Sequence, residues 1–111
     1  MKVIVLGYSD DESRYSNMAS KLLMQYKHEV VNINPRFAEE LTKLEEGAHT
    51  VTLYIGSNNI LKFKDNILKA APKRVIFNPG TENDELIRIL ESVGVEVVIG
   101  CTLVMLKTDQ F

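Results

Sequence analysis

The residues that follow the first apolar run are suited to holding a phosphate group. The apolar run Val3–Leu6 stops at Gly7, a polar loop follows from Tyr8 to Ser13, and a helical pattern then begins. A glycine turn lets a ligand approach the backbone, and the start of a helix offers unpaired N–H groups and a positive dipole. The dinucleotide fingerprint Gly-x-Gly-x-x-Gly is missing, since no glycine occurs between Gly7 and Gly47. The loop therefore predicts a phosphate-bearing ligand that is not bound in the usual NAD manner.

Catalytic and metal-ligating groups are scarce elsewhere in the chain. His28 falls in a predicted loop at the opposite end of the sheet from the phosphate loop, and His49 falls at the start of a predicted strand. One cysteine and two distant histidines do not provide a zinc ligand set. Cys101 follows Gly100 near a strand end, where a reactive thiol is conceivable, but we interpret it as a buried, inert side chain. We predict no catalytic residue and no metal site.

Apolar patterning predicts an alternation of strands and helices that positions these loops. The predicted strands are Lys2–Leu6, Glu29–Ile33, His49–Ile55, Arg74–Phe77 and Glu96–Ile99.

The predicted helices fill the segments between the strands. The first runs from about Arg14 to Tyr26, a short second begins at Phe37 and stops near Gly47, a third is capped by Ser57 and ended by Pro72, and a fourth is capped by Thr81 and closed by Gly94. The last apolar segment, Thr102–Leu106, is too short to assign.

This alternation predicts an α/β protein, a three-layer Rossmann-like domain with a five-stranded, mostly parallel sheet and helices on both faces. We expect residues 1–111 to form a single domain. Strand order stays open, and the flavodoxin-like order is compatible with the pattern. Ligands of such sheets bind outside the carboxyl ends of the strands. The loops at those ends are 7–13, 34–36, 56–59 and 78–82.

Composition narrows the class of partner. The net charge is −2 and no basic block occurs, which argues against general binding to nucleic acid or anionic membranes. No apolar stretch approaches the ~20 residues of a membrane span. The chain enters a strand at once, which leaves no room for a signal peptide, and the single cysteine cannot form an internal disulfide. We expect a cytoplasmic protein.

Four short motifs occur in order along the chain. They are Gly7-x-Ser9 followed by Arg14 and Ser16, Asn34-Pro35-Arg36, Pro79-Gly80-x-x-Asn83, and the ending GCTLVML from Gly100 to Leu106. In this arrangement the chain resembles the CoA-binding domain family, small Rossmann-like proteins similar to the N-terminal domain of succinyl-CoA synthetase alpha subunits. The resemblance implies a small-molecule nucleotide ligand, coenzyme A (CoA) or an acyl-CoA. It also implies binding without catalysis, because the phosphorylated histidine of succinyl-CoA synthetase lies outside this domain.

If the ligand is CoA, its chemistry assigns roles to these loops. The N–H groups of Gly7, Tyr8, Ser9 and the turn 13–16 can bind the diphosphate. Arg14 and Arg36 can form forked bonds with phosphate oxygens. Pro35 offers a flat apolar surface to adenine. The complete set of predicted cofactor-binding residues is Gly7, Tyr8, Ser9, Arg14, Tyr15, Ser16, Asn34, Pro35, Arg36, Gly56, Asn78, Pro79 and Gly80.

Simpler interpretations stay open for several of these residues. Arg14 and Arg36 could be solvated surface charges, Gly56 could only end a strand, and the segment 78–80 could be an ordinary turn. Tyr54 lies near the predicted cleft, but we interpret it as a strand residue half in the core. The carboxylates at positions 10–12 would oppose a ligand phosphate if they pointed at it.

Two other functions also fit the pattern. The first is an oxidoreductase using NADP or another nucleotide. NAD itself is disfavoured because the second strand ends in Asn34-Pro35-Arg36, where an NAD site usually has an acidic residue. An arginine there suits a phosphorylated ribose, although the absent glycine fingerprint weighs against NADP too. The second is a protein-interaction module with an unused cleft. The oligomeric state stays open.

Overall fold

Five parallel strands form one sheet in the computed structural model, which describes residues 1–111. The strands are β1 (Lys2–Leu6), β2 (Glu29–Ile33), β3 (Thr50–Leu53), β4 (Arg74–Phe77) and β5 (Glu96–Ile99). Their order is β2-β1-β3-β4-β5, and every neighbouring pair is parallel. The predicted α/β class is confirmed, and the sheet that was expected to be mostly parallel is wholly so. The strand order is the flavodoxin-like one.

Helices cover both faces of this sheet. They are α1 (Tyr15–Gln25), α2 (Ala38–Leu41), α3 (Lys64–Lys69), α4 (Asp84–Ser92) and α5 (Thr102–Lys107). Successive side chains of a strand point to opposite faces. Val3 and Val5 of β1 accordingly pack with Leu23 of α1 and Leu106 of α5. On the other face Ile4 and Leu6 join a larger core with residues of α3 and α4. No helix has the length and apolar character required to cross a membrane.

A buried polar network fixes α5 above the carboxyl ends of β3 and β4. The Asn78 amide donates to Thr52 Oγ1 at 2.7 Å and to the Leu53 carbonyl at 2.8 Å, and its Oδ1 accepts the Thr102 N–H at 2.8 Å. The hydroxyls of Thr52 and Thr102 are also 2.7 Å apart. Asn78 therefore supplies an acceptor for the first turn of α5. This tertiary contact explains why the segment that could not be assigned from sequence is helical.

Two predicted helix caps were wrong. Ser57 is not a cap, since its N–H donates to the Gly80 carbonyl at 3.0 Å and the helical turn that follows, Ile60–Phe63, begins after Asn59. Thr81 does not cap α4, because its hydroxyl donates to the Asn78 carbonyl at 2.8 Å. Asn83 is the cap, and its Oδ1 accepts the Leu86 N–H at 2.9 Å. Each loop holds several residues of cap type, and tertiary contacts select among them.

Two element boundaries also differ from the prediction. β3 is shorter than the predicted 49–55, although the Tyr54 N–H still donates to the Leu6 carbonyl at 2.8 Å. The short second helix divides into α2 and a 3₁₀ segment, Thr42–Glu46. Gly47 ends that segment with φ +84°, a backbone conformation that glycine adopts without strain.

Candidate functional site

A cleft of about 320 Å³ lies at the carboxyl ends of β1, β3 and β4. Because β2 lies on one side of β1 and β3 on the other, this is the point where the strand order changes direction. Ligands of open α/β sheets bind at such points. The residues that line the cleft are Gly7, Ser9, Arg14, Tyr15, Ser16, Tyr54, Gly56, Pro79, Gly80 and Thr81.

The first of these residues must be a glycine because two backbone segments meet there. Gly7 has φ +103°, and a Cβ atom at this position would lie 2.7 Å from both the carbonyl carbon and the oxygen of Tyr54. A side chain would therefore collide with the backbone that follows β3. Gly7 brings the ends of β1 and β3 together and so sets the width of the cleft floor.

The N–H groups predicted to bind a diphosphate are largely used within the fold. Gly7 and Tyr8 both donate their N–H groups to the Ile33 carbonyl at 2.9 Å, and the Ser9 N–H donates to Ser16 Oγ at 3.1 Å. Two of these N–H groups thus bond to the last residue of β2 and the third bonds to α1, so the fold does not leave them free for a ligand. The available donors are the N–H groups of Tyr15 and Ser16, since the first turn of a helix has no intrahelical acceptor for them.

Two serine hydroxyls add further donors to the cleft. Ser16 Oγ accepts the Ser9 N–H, and Ser9 Oγ accepts the Asp11 N–H at 3.1 Å. A serine oxygen that accepts one bond keeps its own O–H free to donate. The guanidinium of Arg14 forms neither an ion pair nor a hydrogen bond within the protein. The lining is therefore rich in unused donors, which suits an anion.

The acidic residues of the first loop do not oppose an anion in the cleft. Asp10, Asp11 and Glu12 are exposed, and none of them lines the cleft. Asp11 accepts hydrogen bonds from the Ser13 hydroxyl at 2.7 Å and the Ser13 N–H at 2.9 Å, which lower the pKa of its carboxyl. Glu12 pairs with Lys21 at 3.0 Å. Asp11 thus orders the loop, and Glu12 connects it to α1. The positive charge of Arg14 also lowers the pKa of Asp11.

One carboxylate from another loop does reach the rim of the cleft. Glu82 Oε1 accepts the Gly80 N–H at 2.7 Å. Glu82 is exposed, so an incoming anion can displace it from this donor at the cost of one exposed hydrogen bond. In the free protein the Gly80 N–H therefore binds an anionic group, the Glu82 carboxylate.

A second chamber of about 300 Å³ adjoins the cleft. Tyr15, Tyr54 and Pro79 line both cavities, and Asn78 and Cys101 complete the second. Two aromatic rings and a proline ring give this chamber a more apolar wall than the cleft. Cys101 is partly exposed here, so the expectation that this cysteine is buried was wrong.

Three residues outside the predicted set line the cavities, namely Tyr54, Thr81 and Cys101, and Tyr54 alone of the three lines both. Its ring packs against the core beneath α1, as expected of a strand residue, yet it also lines both cavities. Its hydroxyl is buried without a hydrogen bond of good geometry. The polar groups nearest to it are the hydroxyls of Thr52 and Thr102, which are 2.7 Å apart. Burial raises the pKa of Tyr54 to about 12, and the nearby Thr102 acts in the opposite direction. The sequence signal for Tyr54 was its spacing. Thr50, Thr52 and Tyr54 occupy alternate positions, which places their side chains on the same face of the sheet.

Four of the predicted residues line neither cavity. Tyr8 packs toward α1, where its hydroxyl accepts a hydrogen bond from the Asn17 amide at 3.2 Å. Asn34, Pro35 and Arg36 follow β2, on the far side of β1 from the cleft. The structure therefore divides the predicted site into a cleft with its adjoining chamber and a separate loop at the end of β2. Asn78 reaches the chamber, but its side chain is engaged within the fold.

Comparison with known proteins finds a family and several solved structures to which the chain is similar. The chain matches the CoA binding domain family over residues 1–107. It is similar to a protein described only as uncharacterized, with 36% identity, coverage of 99% of this chain and 97% of that chain, and a TM-score of 0.81. It also resembles a conserved hypothetical protein from Pyrococcus furiosus (26% identity, 87% and 90% coverage, TM-score 0.73). Cell-free ID.343 from Thermus thermophilus shares the fold (23% identity, 99% and 90% coverage, TM-score 0.85). No curated protein matches the chain.

Proposed function

Because the chain belongs to the CoA binding domain family, we propose that it binds coenzyme A or an acyl-CoA at the carboxyl ends of β1, β3 and β4. The observation that carries this proposal is a pair of adjoining cavities of different character. One is rich in unpaired donors around Arg14, and the other is walled by Tyr15, Tyr54 and Pro79. CoA has the same division, with phosphates at one end and a long neutral arm at the other.

The cleft would receive the diphosphate. The N–H groups of Tyr15 and Ser16 point out of the first turn of α1, where the helix dipole also favours negative charge. The hydroxyls of Ser9 and Ser16 keep a free proton to donate, and Arg14 can form charge-assisted bonds with phosphate oxygens. These groups neutralise an anion locally in a protein whose net charge is −2.

The chamber would receive the pantetheine arm. This arm is largely apolar but carries two amide groups, and the buried Tyr54 hydroxyl lacks a partner. Because the pKa of Tyr54 is raised to about 12, the phenol keeps its proton at neutral pH and can donate it to an amide oxygen. A bound arm would thus satisfy a polar group that the free protein leaves unpaired.

A binding role for the buried Tyr54 phenol accords with its raised pKa. An effective general acid or base at neutral pH needs a pKa close to 7. Burial moves the pKa of Tyr54 away from that range, to about 12. We therefore assign Tyr54 a hydrogen-bonding role and no acid–base role in the proposed CoA-binding site.

Calorimetric titration of CoA, dephospho-CoA and NADPH tests the proposal. We expect CoA to bind best and Arg14→Ala to weaken it by ~1.5–3 kcal/mol, the range for hydrogen bonds to charged groups. Arg36 lines neither cavity, but it lies in the loop after β2, at the same edge of the sheet as the cleft, where it would meet the 3′-phosphate. Arg36→Ala should therefore weaken CoA by a similar amount and leave dephospho-CoA unaffected. Arg88→Ala is the matched control, because Arg88 is exposed within α4, outside the loops that follow the strands.

Three outcomes would contradict this assignment in different ways. Equal affinities in the Arg14 variant and the Arg88 control would remove Arg14 from the site. A preference for NADPH would favour the oxidoreductase alternative. No binding at millimolar CoA, together with a stable protein complex, would favour the interaction module.

A further inference from the structure

A carboxylate lies at the carboxyl end of β2, although the residues that follow this strand are Asn34, Pro35 and Arg36. The Asn34 N–H donates to Glu40 Oε1 at 2.9 Å. Glu40 belongs to α2, six positions further along the chain. The turn after β2 folds α2 back on the strand end and thereby places there an acidic group that sequence reasoning had considered missing.

The end of β2 is connected directly to the glycine turn of the cleft. The carbonyl of Ile33, the last residue of β2, accepts the N–H groups of both Gly7 and Tyr8 at 2.9 Å. Asn34 is the next residue, and its N–H bonds to Glu40. The Glu40 carboxylate and the cleft floor therefore share one rim of the sheet, with the β1 turn between them.

Glu40 retains the capacity to bind a ligand. A carboxylate offers about four acceptor positions, and the Asn34 N–H is the one protein donor that Glu40 engages. No lysine, arginine or histidine pairs with it, and its side chain is half-buried. Arg36 is also unpaired, while its N–H donates to Asn34 Oδ1 at 3.0 Å. The loop thus presents an acceptor and a cation that do not neutralise each other.

We propose that Glu40 accepts a hydrogen bond from the 2′-hydroxyl of the ligand's ribose and excludes nucleotides phosphorylated at that oxygen. The proposal rests on the CoA-binding function above and adds the specificity of the same site. In open α/β folds an acidic group at the end of β2 suits a ribose hydroxyl, whereas a 2′-phosphate requires a cation there. A 2′-phosphate beside Glu40 would set two negative groups against each other.

This arrangement separates two ligands that both carry a phosphorylated ribose. CoA has a 3′-phosphate and a free 2′-hydroxyl, while NADP has a 2′-phosphate. With Glu40 on the 2′-hydroxyl, Arg36 is the cation of the same loop that can meet the neighbouring 3′-phosphate. Glu40 thereby supplies a reason for CoA to be preferred over NADP that Arg36 alone does not give.

Two isomeric probes isolate this effect. Adenosine 3′,5′-bisphosphate and adenosine 2′,5′-bisphosphate have the same composition and charge and differ in which ribose oxygen bears phosphate. Their dissociation constants are measured by calorimetry for the wild type, Glu40→Gln and Glu39→Gln. Gln retains an oxygen for the Asn34 N–H, and thermal unfolding checks that each variant is folded. Glu39 is the control, since it is exposed on the same helix and its side chain makes no bond.

We expect the wild type and Glu39→Gln to prefer the 3′,5′ isomer by about tenfold or more, and Glu40→Gln to lose about tenfold of that preference, the difference between charged and neutral hydrogen bonds. An unchanged preference in folded Glu40→Gln overturns the proposal. So does equal binding of the two isomers by the wild type, which needs no variant. If CoA binds while the isomers are not distinguished, the CoA-binding function stands and the role of Glu40 is wrong. If CoA does not bind, both are wrong.

Discussion

Replacing Tyr54 by phenylalanine should move stability and ligand affinity in opposite directions. The substitution removes one buried oxygen that has no hydrogen-bond partner and leaves the ring packed against the core beneath α1. An unsatisfied buried polar group costs ~1–3 kcal/mol. We expect a gain near the lower end, about 1 kcal/mol, because the polar hydroxyls of Thr52 and Thr102 lie nearby and moderate the cost.

The expected gain is large enough to measure by thermal unfolding. At about 2.1 cal/mol/K per residue, the unfolding entropy of this 111-residue chain is roughly 0.23 kcal/mol/K. A gain of about 1 kcal/mol therefore raises Tm by about 4 °C. The same change removes the donor that we assign to the pantetheine arm. A neutral hydrogen bond contributes ~0.5–1.5 kcal/mol, so CoA should bind about 2- to 12-fold more weakly.

The assay combines thermal unfolding without ligand and calorimetry with CoA for Tyr54→Phe and a matched control, Tyr15→Phe. Tyr15 lines the same two cavities but is 70% exposed, so loss of its hydroxyl should leave Tm unchanged. A lower Tm for ligand-free Tyr54→Phe would refute the reasoning, because it would mean that the protein itself satisfies the hydroxyl. A higher Tm with unchanged CoA affinity would remove Tyr54 from the arm's contacts.

Two further expectations concern the same rim. The raised pKa of Tyr54, about 12, means that the unfolded chain loses this proton near pH 10 while the folded protein keeps it. The associated stability is complete below pH ~10 and is lost toward pH ~12, by about 1–2 kcal/mol after allowing for partial exposure. Urea unfolding at pH 9 and pH 11 should show this component in the wild type and not in Tyr54→Phe, and an equal pH dependence would contradict it. Gly7→Ala should destabilise the fold by about 3 kcal/mol, because it combines a positive φ with a backbone collision. Gly56→Ala should stay within ~0.5 kcal/mol, since a Cβ there meets nothing within 4 Å; equal losses in the two variants by urea unfolding would contradict this account of Gly7.

Periodicity predicted the layers of this fold well because burial on both faces of a parallel sheet leaves a strong local pattern. The five strands occur where the apolar runs are, with β3 trimmed at both ends. Helix formation and helix capping that depend on tertiary contacts could not be predicted from the sequence. Thr102–Lys107 is helical because the Asn78 side chain accepts the N–H of Thr102. Asn83 caps α4, and Thr81 does not, because the Thr81 hydroxyl donates to the Asn78 carbonyl.

The site was predictable in outline for the same reason. The carboxyl ends of parallel strands share one edge, so the loops holding Gly7, Arg14 and Gly80 were expected to converge, and they do. The identity of the free donors was not predictable. The N–H groups of Gly7 and Tyr8 are taken by a carbonyl of β2. Glu40 lies at the end of β2 because α2 packs back against that strand end, and the sequence pattern does not predict this packing.

Amide chemical-shift mapping with CoA tests the central claim most directly. Two-dimensional ¹H–¹⁵N spectra of the labelled protein are recorded during a CoA titration. We expect saturable shifts concentrated in the lining of the cleft, at Gly7, Ser9, Tyr15, Ser16, Gly56 and Gly80. Shifts centred on the opposite end of the sheet, where Arg74 bonds to Thr50 and covers the Phe111 ring, would contradict it. So would a spectrum that CoA leaves unchanged.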